Sequence, residues 1–300
     1  MVTDQLIEQI KQKKNPCIVG IDPEWSKIPE CYKTLPEPEA ILQWATDVID
    51  AVADIVPAVK PQMAFFEVFG PEGLLAHQKI VQHAHERGLI VIDDSKRNDI
   101  GNTARAYAYA HLAKGGPIDA DFMTISPFLG TDSMQPFIDT AVRHQKGLFI
   151  LVKTSNPGSV EISEAQNCHG EKIRDWLARH VNTVGQSCIG RYGYSSIGAV
   201  VGATFPEEAK QLRRIMKNSF FLVPGFGTQG CSAQDIVPCF NSDGLGAVVS
   251  SSRGVLYHHL QVSGFDHSRT MYLEIVREQA KQMQQAVYLA LKSAYPNMVY

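Results

Sequence analysis

The sequence has few of the features that mark membrane or secreted proteins. No stretch of the 300 residues approaches the ~18 consecutive apolar residues that a membrane span needs, so we expect no membrane association. Residues 1–14 are polar and of mixed charge, which is unlike a secretory signal. The six cysteines form no CxxC pair and are too sparse for a disulfide scaffold. These absences predict a cytoplasmic protein with reduced thiols.

The chain also lacks an excess of charge and a recognisable linker. It has 28 Lys and Arg against 31 Asp and Glu, a net charge of -3, and therefore no global basic field that would attract nucleic acid. No low-complexity segment or shift in composition divides the chain, so residues 1–300 are expected to form one domain. The hydrophobic fraction of 44% is that of an ordinary globular protein.

Short apolar runs alternate with longer segments of helical period along the chain. The runs are rich in Val and Ile and cover residues 17–22, 58–63, 89–94, 122–126, 148–153, 197–202, 220–223 and 246–250. Helices are predicted at 38–55, 73–87, 103–114, 134–146, 173–190, 206–218 and 267–291, with the weakest pattern after the seventh run. Residues 156–170 are polar and aperiodic, which indicates a long loop or lid. Eight strand-helix repeats predict a parallel (β/α)8 barrel.

Polar residues stand at the carboxyl ends of several predicted strands, where (β/α)8 barrels build their active sites. They are Asp22, Lys60, Asp94 with Lys96, Lys153 with Thr154 and Ser155, and Ser252 with Arg253. Ile90, Ile92, Asp94 and Lys96 share one face of the third strand, because successive side chains in a strand alternate in direction. The two isoleucines should fill the barrel, and Asp94 and Lys96 should cap it. An alternative is a structural ion pair at the barrel mouth.

A second cluster follows the seventh and eighth strands. Residues 224–230 form a glycine-rich loop, and Ser251-Ser252-Arg253-Gly254 follows the eighth strand. Loops at these two places often bind phosphate in such barrels, because glycines let backbone N–H groups approach an anion and Arg offers two donors. The pattern predicts a phosphate site.

Several motifs between about residues 17 and 254 together resemble one known family. Asp94-x-Lys96-x-x-Asp99 followed by Ile100 is similar to the signature of the orotidine 5′-phosphate decarboxylase suprafamily. Other similar segments are Gly20-Ile21-Asp22, Val59-Lys60-Pro61-Gln62 with Phe65-Phe66-Glu67, Lys153-Thr154-Ser155-Asn156-Pro157-Gly158, Val201-Gly202-Ala203-Thr204, residues 224–230, and Ser252-Arg253. The chain departs from compact members by extra length at 24–37, at 156–170 and at its C-terminus.

The resemblance implies cofactor-independent and metal-free decarboxylation of orotidine 5′-monophosphate to uridine 5′-monophosphate, the last step of de novo pyrimidine nucleotide synthesis. It implies that Lys96 donates a proton to C6 and that Asp94 faces the departing carboxylate. The remaining implied roles are ribose and charge-network contacts for Asp22 and Lys60, a pyrimidine contact for Ser155, phosphate contacts for Gln229 and Arg253, and contributions of Asp99 and Thr103 across a homodimer interface.

Three alternatives stay open at this point. One is a Mg²⁺-dependent sugar-phosphate decarboxylase of the same suprafamily, which places a carboxylate on the second strand where this sequence has Lys60. Another is an aldolase that forms a Schiff base on Lys96 or Lys153. The last is a non-catalytic nucleotide-binding barrel.

Overall fold

Eight parallel strands close into a barrel in sequence order in a computed structural model that describes residues 1–227 and 232–300. The strands are β1 (Cys17–Ile21), β2 (Ala58–Pro61), β3 (Ile90–Arg97), β4 (Phe122–Ile125), β5 (Gly147–Lys153), β6 (Ser195–Val201), β7 (Ser219–Pro224) and β8 (Ala247–Ser251). The barrel closes where β8 pairs with β1, with Val249 opposite Cys17. The prediction of a (β/α)8 barrel is confirmed, and each predicted apolar run overlaps one of the eight strands.

The helices form the outer layer and also close one end of the barrel. They are α1 (Val2–Lys13), α2 (Glu37–Val52), α3 (Ala64–Glu67), α4 (Gly70–Glu86), α5 (Gly101–Leu112), α6 (Thr131–His144), α7 (Ser159–Ser163), α8 (Ile173–Gly185), α9 (Pro206–Ile215), α10 (Arg253–Leu256) and α11 (Arg269–Ala294). Between β7 and β8, the described residues hold only one helical element, the 3₁₀ turn Val237–Cys239, in place of the weakly predicted helix. In the described part of the chain, no helix combines the length and apolarity of a membrane span.

The barrel interior is packed with apolar side chains, as the parity of β3 predicts. Ile90 and Ile92 belong to an interior cluster with Phe122 and Phe149, whose ring centroids lie 5.1 Å apart. Helix α1, which was not predicted, adds Leu6 and Ile10 to this cluster and so closes the amino-terminal end of the barrel. The opposite end, where the strands finish, is therefore the open end.

The first and last helices of the outer layer pack together beside β1. Trp44 of α2 is fully buried, and its indole Nε1 donates a hydrogen bond to the Tyr272 hydroxyl of α11 over 2.7 Å. Burying a large aromatic ring whose polar atom keeps a partner is strongly stabilising, since its truncation typically costs ~3–5 kcal/mol. This contact ties the two ends of the helical layer across the β1–β8 seam.

Candidate active site

A cavity of about 440 Å³ opens at the carboxyl ends of the strands. It brings together six of the predicted site residues, namely Asp22, Lys60, Asp94, Lys96, Ser155 and Arg253. Its wall is completed by Gln62, Leu151, Thr154, Asn156, Val200, Leu222, Pro224, Gly225, Ser250, Ser251 and Ser252. Its size and mixed apolar and charged lining are typical of small-molecule sites.

Asp94 is the centre of the charged network in this cavity. One carboxylate oxygen, Oδ2, accepts from Lys60 Nζ over 2.6 Å, and the other, Oδ1, accepts from Lys96 Nζ over 2.5 Å. Thr124 Oγ1 donates to Oδ1 over 2.9 Å, and Gln62 Nε2 donates to Oδ2 over 3.2 Å. A carboxylate with this many donors is held in one orientation. Sequence reasoning assigned no role to Thr124 or Gln62, although each is a polar residue within a predicted apolar run.

The ionisation of this network is set by its own charges. Burial opposes the charged form of Asp94, but Lys60 and Lys96 outweigh it and lower the pKa of Asp94 to about 2. Burial also opposes the charged form of Lys60, yet Asp94 and then Asp22 raise the pKa of Lys60 above its usual value. The network therefore holds an anion between two lysines near neutral pH.

Lys96 has an unusual backbone conformation. Its φ is 47°, in the left-handed region, although it lies within β3, where the pairing with β4 shifts between Asp93 and Arg97. The Lys96 N–H donates to Thr124 Oγ1 over 2.9 Å, which holds this conformation. Such a conformation costs ~1–3 kcal/mol for a non-glycine residue and concentrates at functional sites. It aims the 43% exposed side chain back over Asp94.

Asp22 and Ser155 are two further polar residues at the cavity. Asp22 Oδ1 is buried and has no hydrogen-bond partner among the described residues, so it is ready to accept from a hydroxyl group of a ligand. Ser155 lies against Gly202, where an added Cβ would approach the Ser155 backbone to 3.0 Å. Gly202 thus leaves the room that Ser155 occupies beside the cavity.

The predicted phosphate end of the site is built by backbone and one cation. Pro224 and Gly225 line the cavity, and Gly225 has a φ of 89° that favours glycine. Arg253 also lines it and is exposed, and its guanidinium shows no hydrogen bond or ion pair within residues 1–227 and 232–300. A guanidinium without a counter-ion beside a glycine turn can bind an anion. Gln229 lies outside the described residues.

Asp99 and Thr103 do not line the cavity of their own chain. Asp99 is half-buried and its carboxylate accepts from the Ile100 N–H, while Thr103 is exposed on α5. Ile100 is 57% exposed, and Phe128, after the neighbouring strand β4, is 75% exposed. These apolar side chains lie at the same end of the barrel as the cavity.

Lys153 does not line the cavity, so the alternative that gave it a Schiff-base role is wrong. The pairing of β5 with β6 shifts between Leu151 and Lys153, which leaves Leu151 in the cavity wall and turns Lys153 outward. The Lys153 ammonium donates to Ser163 Oγ over 2.7 Å and lies 3.3 Å from Glu208. Strand parity alone could not predict this irregularity.

A buried cluster behind Asp94 also escaped the sequence analysis. Asp93 is fully buried on the outer face of β3, where its carboxylate faces His77 of α4 at 3.3 Å and His111 of α5. Burial opposes the charge on Asp93, but the hydrogen bond from His111 and the close approach of the His77 imidazole hold its pKa far below the usual range. The only signal in the sequence was an aspartate at an outward position of an apolar strand.

Comparison with known proteins gives one consistent family. The sequence profile of the "Orotidine 5'-phosphate decarboxylase / HUMPS family" matches residues 15–259. The chain is 43% identical over 252 residues to the orotidine 5'-phosphate decarboxylase of Rhodopirellula baltica, covering 80% of this chain and 83% of that protein. It is 37% identical to the enzyme of the same name from Clostridium novyi, covering 95% and 97%. A Streptomyces avermitilis crystal structure described as a putative enzyme of that name superposes with a TM-score of 0.82 and 31% identity, covering 97% and 95%.

Proposed function

The chain belongs to the orotidine 5′-phosphate decarboxylase / HUMPS family, and we propose that it converts orotidine 5′-monophosphate to uridine 5′-monophosphate and CO2. It is an enzyme of the carboxy-lyase class, and the reaction belongs to pyrimidine nucleotide biosynthesis. We propose further that residues 1–300 form one catalytic domain, because α1 near the start of the chain and α11 near its end both pack on the barrel. The observation that carries the proposal is the Asp94 carboxylate held between Lys60 and Lys96 in a nucleotide-sized cavity.

The chemical difficulty of this reaction is the electron pair left on C6. The bond between C6 and the carboxylate breaks, and neutral CO2 departs. The electron pair left on C6 then accepts a proton from Lys96 Nζ, and Lys96 regains a proton from solvent. Lys96 suits both tasks, since its cation stabilises the developing charge and its N–H donates as a general acid. No cofactor is needed as an electron sink in this scheme.

Asp94 has a separate role in the proposed reaction. Because its pKa of about 2 keeps it ionised, it would repel a substrate carboxylate bound beside it. Two unit charges ~4 Å apart at an effective dielectric of ~20 repel by ~4 kcal/mol. Part of this repulsion is relieved as neutral CO2 leaves, which favours the transition state over bound substrate.

The remaining cavity residues would hold the substrate at three points. Asp22, whose Oδ1 has no partner among the described residues, and Lys60 would contact the ribose hydroxyls. Ser155 would hydrogen-bond the pyrimidine amide. Arg253 and Gln229 would bind the 5′-phosphate. Binding energy from this remote phosphate would position C6 against Lys96.

We propose that the enzyme acts as a homodimer in which Asp99 and Thr103 reach the partner's cavity. Neither residue contributes to the cavity of its own chain. The apolar side chains of Ile100, which follows Asp99, and of Phe128, at the same end of the barrel, are exposed. A second copy would cover these side chains, which a monomer would leave in water. Cytoplasmic location is part of the same proposal.

The direct test follows the loss of orotidine 5′-monophosphate absorbance with purified protein and no added metal. Lys96→Ala should abolish turnover while uridine 5′-monophosphate still binds, because binding contacts remain. Lys114→Ala, which replaces an exposed lysine outside the cavity wall, is the matched control and should keep full activity. Near-normal turnover by Lys96→Ala would refute the proton-donor role, and no turnover by the unmodified chain would refute the function.

A mixing experiment tests the shared site. In this scheme, a dimer of two Lys96→Ala subunits and a dimer of two Asp99→Ala subunits are both inactive. A hybrid dimer with one subunit of each kind has one site that carries both substitutions and one site that carries neither. After random exchange of subunits, about one quarter of all sites should be intact and activity should return to that level. If activity does not return although mass measurements show hybrid dimers, then Asp99 does not act across the interface.

A further inference from the structure

Four charged side chains form a closed ring outside the cavity, between β5 and the helices α7, α8 and α9. Around the ring, Lys153 lies 3.5 Å from Glu164, Glu164 lies 2.5 Å from Arg174, Arg174 lies 2.8 Å from Glu208, and Glu208 lies 3.3 Å from Lys153. Cations and anions alternate, so every neighbour is attractive. We refer to these four residues as the charge ring.

The two cations of the ring are deeply buried. The side chains of Lys153 and Arg174 are 1% and 4% exposed, and the Lys153 ammonium also lies 4.6 Å from the centre of the Phe205 ring. Removing one member of a buried pair leaves an uncompensated charge, so these contacts are strong constraints on geometry. Neither cation lines the catalytic cavity.

The charge ring lies at both ends of a chain segment that lines the cavity. Lys153 is the residue immediately before Thr154, Ser155 and Asn156, which line the cavity. Ser163, at the end of α7, and Glu164, the next residue, return to the Lys153 ammonium, with Ser163 Oγ accepting from it over 2.7 Å. The charge ring therefore fastens both ends of segment 154–163 to the same point of the barrel.

Apolar packing does not fix this segment. Val160 and Ile162 of α7 are exposed, and a cavity of about 540 Å³ lies between the segment and Trp176 of α8. Segments with few buried apolar side chains open locally at low free-energy cost. The ionic contacts at its two ends therefore restrain the segment that carries Ser155, in addition to the packing of Ser155 against Gly202.

We propose that the charge ring positions segment 154–163, and with it Ser155, for binding of the pyrimidine, so that its four members are positioning residues for the nucleotide. The inference rests on the proposed function for the identity of the ligand. When the ring is broken, only a fraction of molecules should hold the segment in the binding conformation. Apparent affinity then falls to that fraction of its original value, while the bound complex reacts as before.

The test compares Lys153, the last residue of β5, with Lys146, which immediately precedes that strand. Lys153→Met breaks the ring, and Lys146→Met removes a lysine that pairs with Asp119 over 2.7 Å at the other end of β5. Lys153→Met should raise KM for orotidine 5′-monophosphate and Kd for uridine 5′-monophosphate by the same factor, about tenfold or more, with kcat within about threefold. Ribose 5-phosphate, which lacks the pyrimidine, should bind as before, and Lys146→Met should change none of these constants.

A second readout does not depend on catalysis. Cleavage after exposed Glu161 by a glutamate-specific protease should be faster in Lys153→Met than in the unmodified chain or in Lys146→Met. Ser163→Ala removes one hydrogen bond to Lys153 without leaving a charge unpaired. If Lys153→Met does not fold, Ser163→Ala serves in its place and should change KM, Kd and the cleavage rate in the same direction. Unchanged uridine 5′-monophosphate affinity in a folded ring variant, or unchanged cleavage, would overturn the inference. Absent turnover in the unmodified chain would refute only the proposed function.

Discussion

Replacing the buried carboxylate behind the active site should destabilise the fold far more than replacing an exposed one. Asp93 is fully buried and faces two imidazoles, His77 and His111, whose side chains are 1% and 4% exposed. Asp93→Asn keeps the shape but removes the charge and turns one acceptor into a donor. One imidazole then faces an amide N–H group instead of an oxygen, in a place that water cannot reach.

The magnitude follows from the burial of Asp93 and from its two imidazole partners. Hydrogen bonds to a charged group contribute ~1.5–3 kcal/mol each, and breaking a buried charged pair typically costs ~3–5 kcal/mol. We expect Asp93→Asn to lower the free energy of unfolding by about 3–5 kcal/mol. Asp50 offers a matched control, because its carboxylate also faces an imidazole, His83 at 2.7 Å, together with Arg87, but is 43% exposed. Asp50→Asn should cost less than about 1 kcal/mol.

Urea unfolding followed by circular dichroism measures both costs, and pH adds a check on the cause. The folded-state pKa of Asp93 lies below its unfolded value of 3.8, so its contribution is complete well above 3.8 and is lost as pH falls toward the folded pKa. The difference in free energy of unfolding between the unmodified chain and Asp93→Asn should therefore decrease by about 1 kcal/mol as the pH is lowered from about 5 to about 3. Equal costs for Asp93→Asn and Asp50→Asn near pH 7 would refute the reasoning.

Three further predictions concern the site itself. Arg253→Ala should raise KM about 10- to 100-fold in steady-state assays, because it would remove the proposed charge-assisted hydrogen bond to the substrate phosphate, and an unchanged KM would exclude Arg253 from phosphate binding. Gly202→Ala should raise KM about threefold or more with a smaller effect on kcat, because its Cβ would displace Ser155 from a 3.0 Å approach. Treatment with EDTA should leave turnover unchanged, whereas a decrease that Mg²⁺ reverses would favour the Mg²⁺-dependent sugar-phosphate decarboxylase.

The alternation of apolar runs and helical segments was sufficient to predict the barrel, because parallel strands covered by helices need continuous apolarity. The strand ends then indicated Asp22, Lys60, Asp94, Lys96, Ser155 and Arg253 as neighbours, since all carboxyl ends of the strands meet at one end of a closed barrel. The same logic failed at Lys153, where a shift in strand pairing reversed the direction of the side chain. The sequence analysis also did not predict α7, which lies within the predicted loop at 156–170, because a five-residue helix has almost no hydrophobic periodicity.

The sequence by itself thus determined the architecture and the group of charged residues at its open end, because hydrophobic period and strand parity are local properties of the chain. Only the tertiary structure decided how the charges pair. Asp94 bridges Lys60 and Lys96, Asp93 faces two histidines on two helices, and Lys153 joins a ring with Glu164, Arg174 and Glu208. Most of these pairs join residues far apart in sequence, and their energies depend on burial and distance, which exist only once the chain has folded.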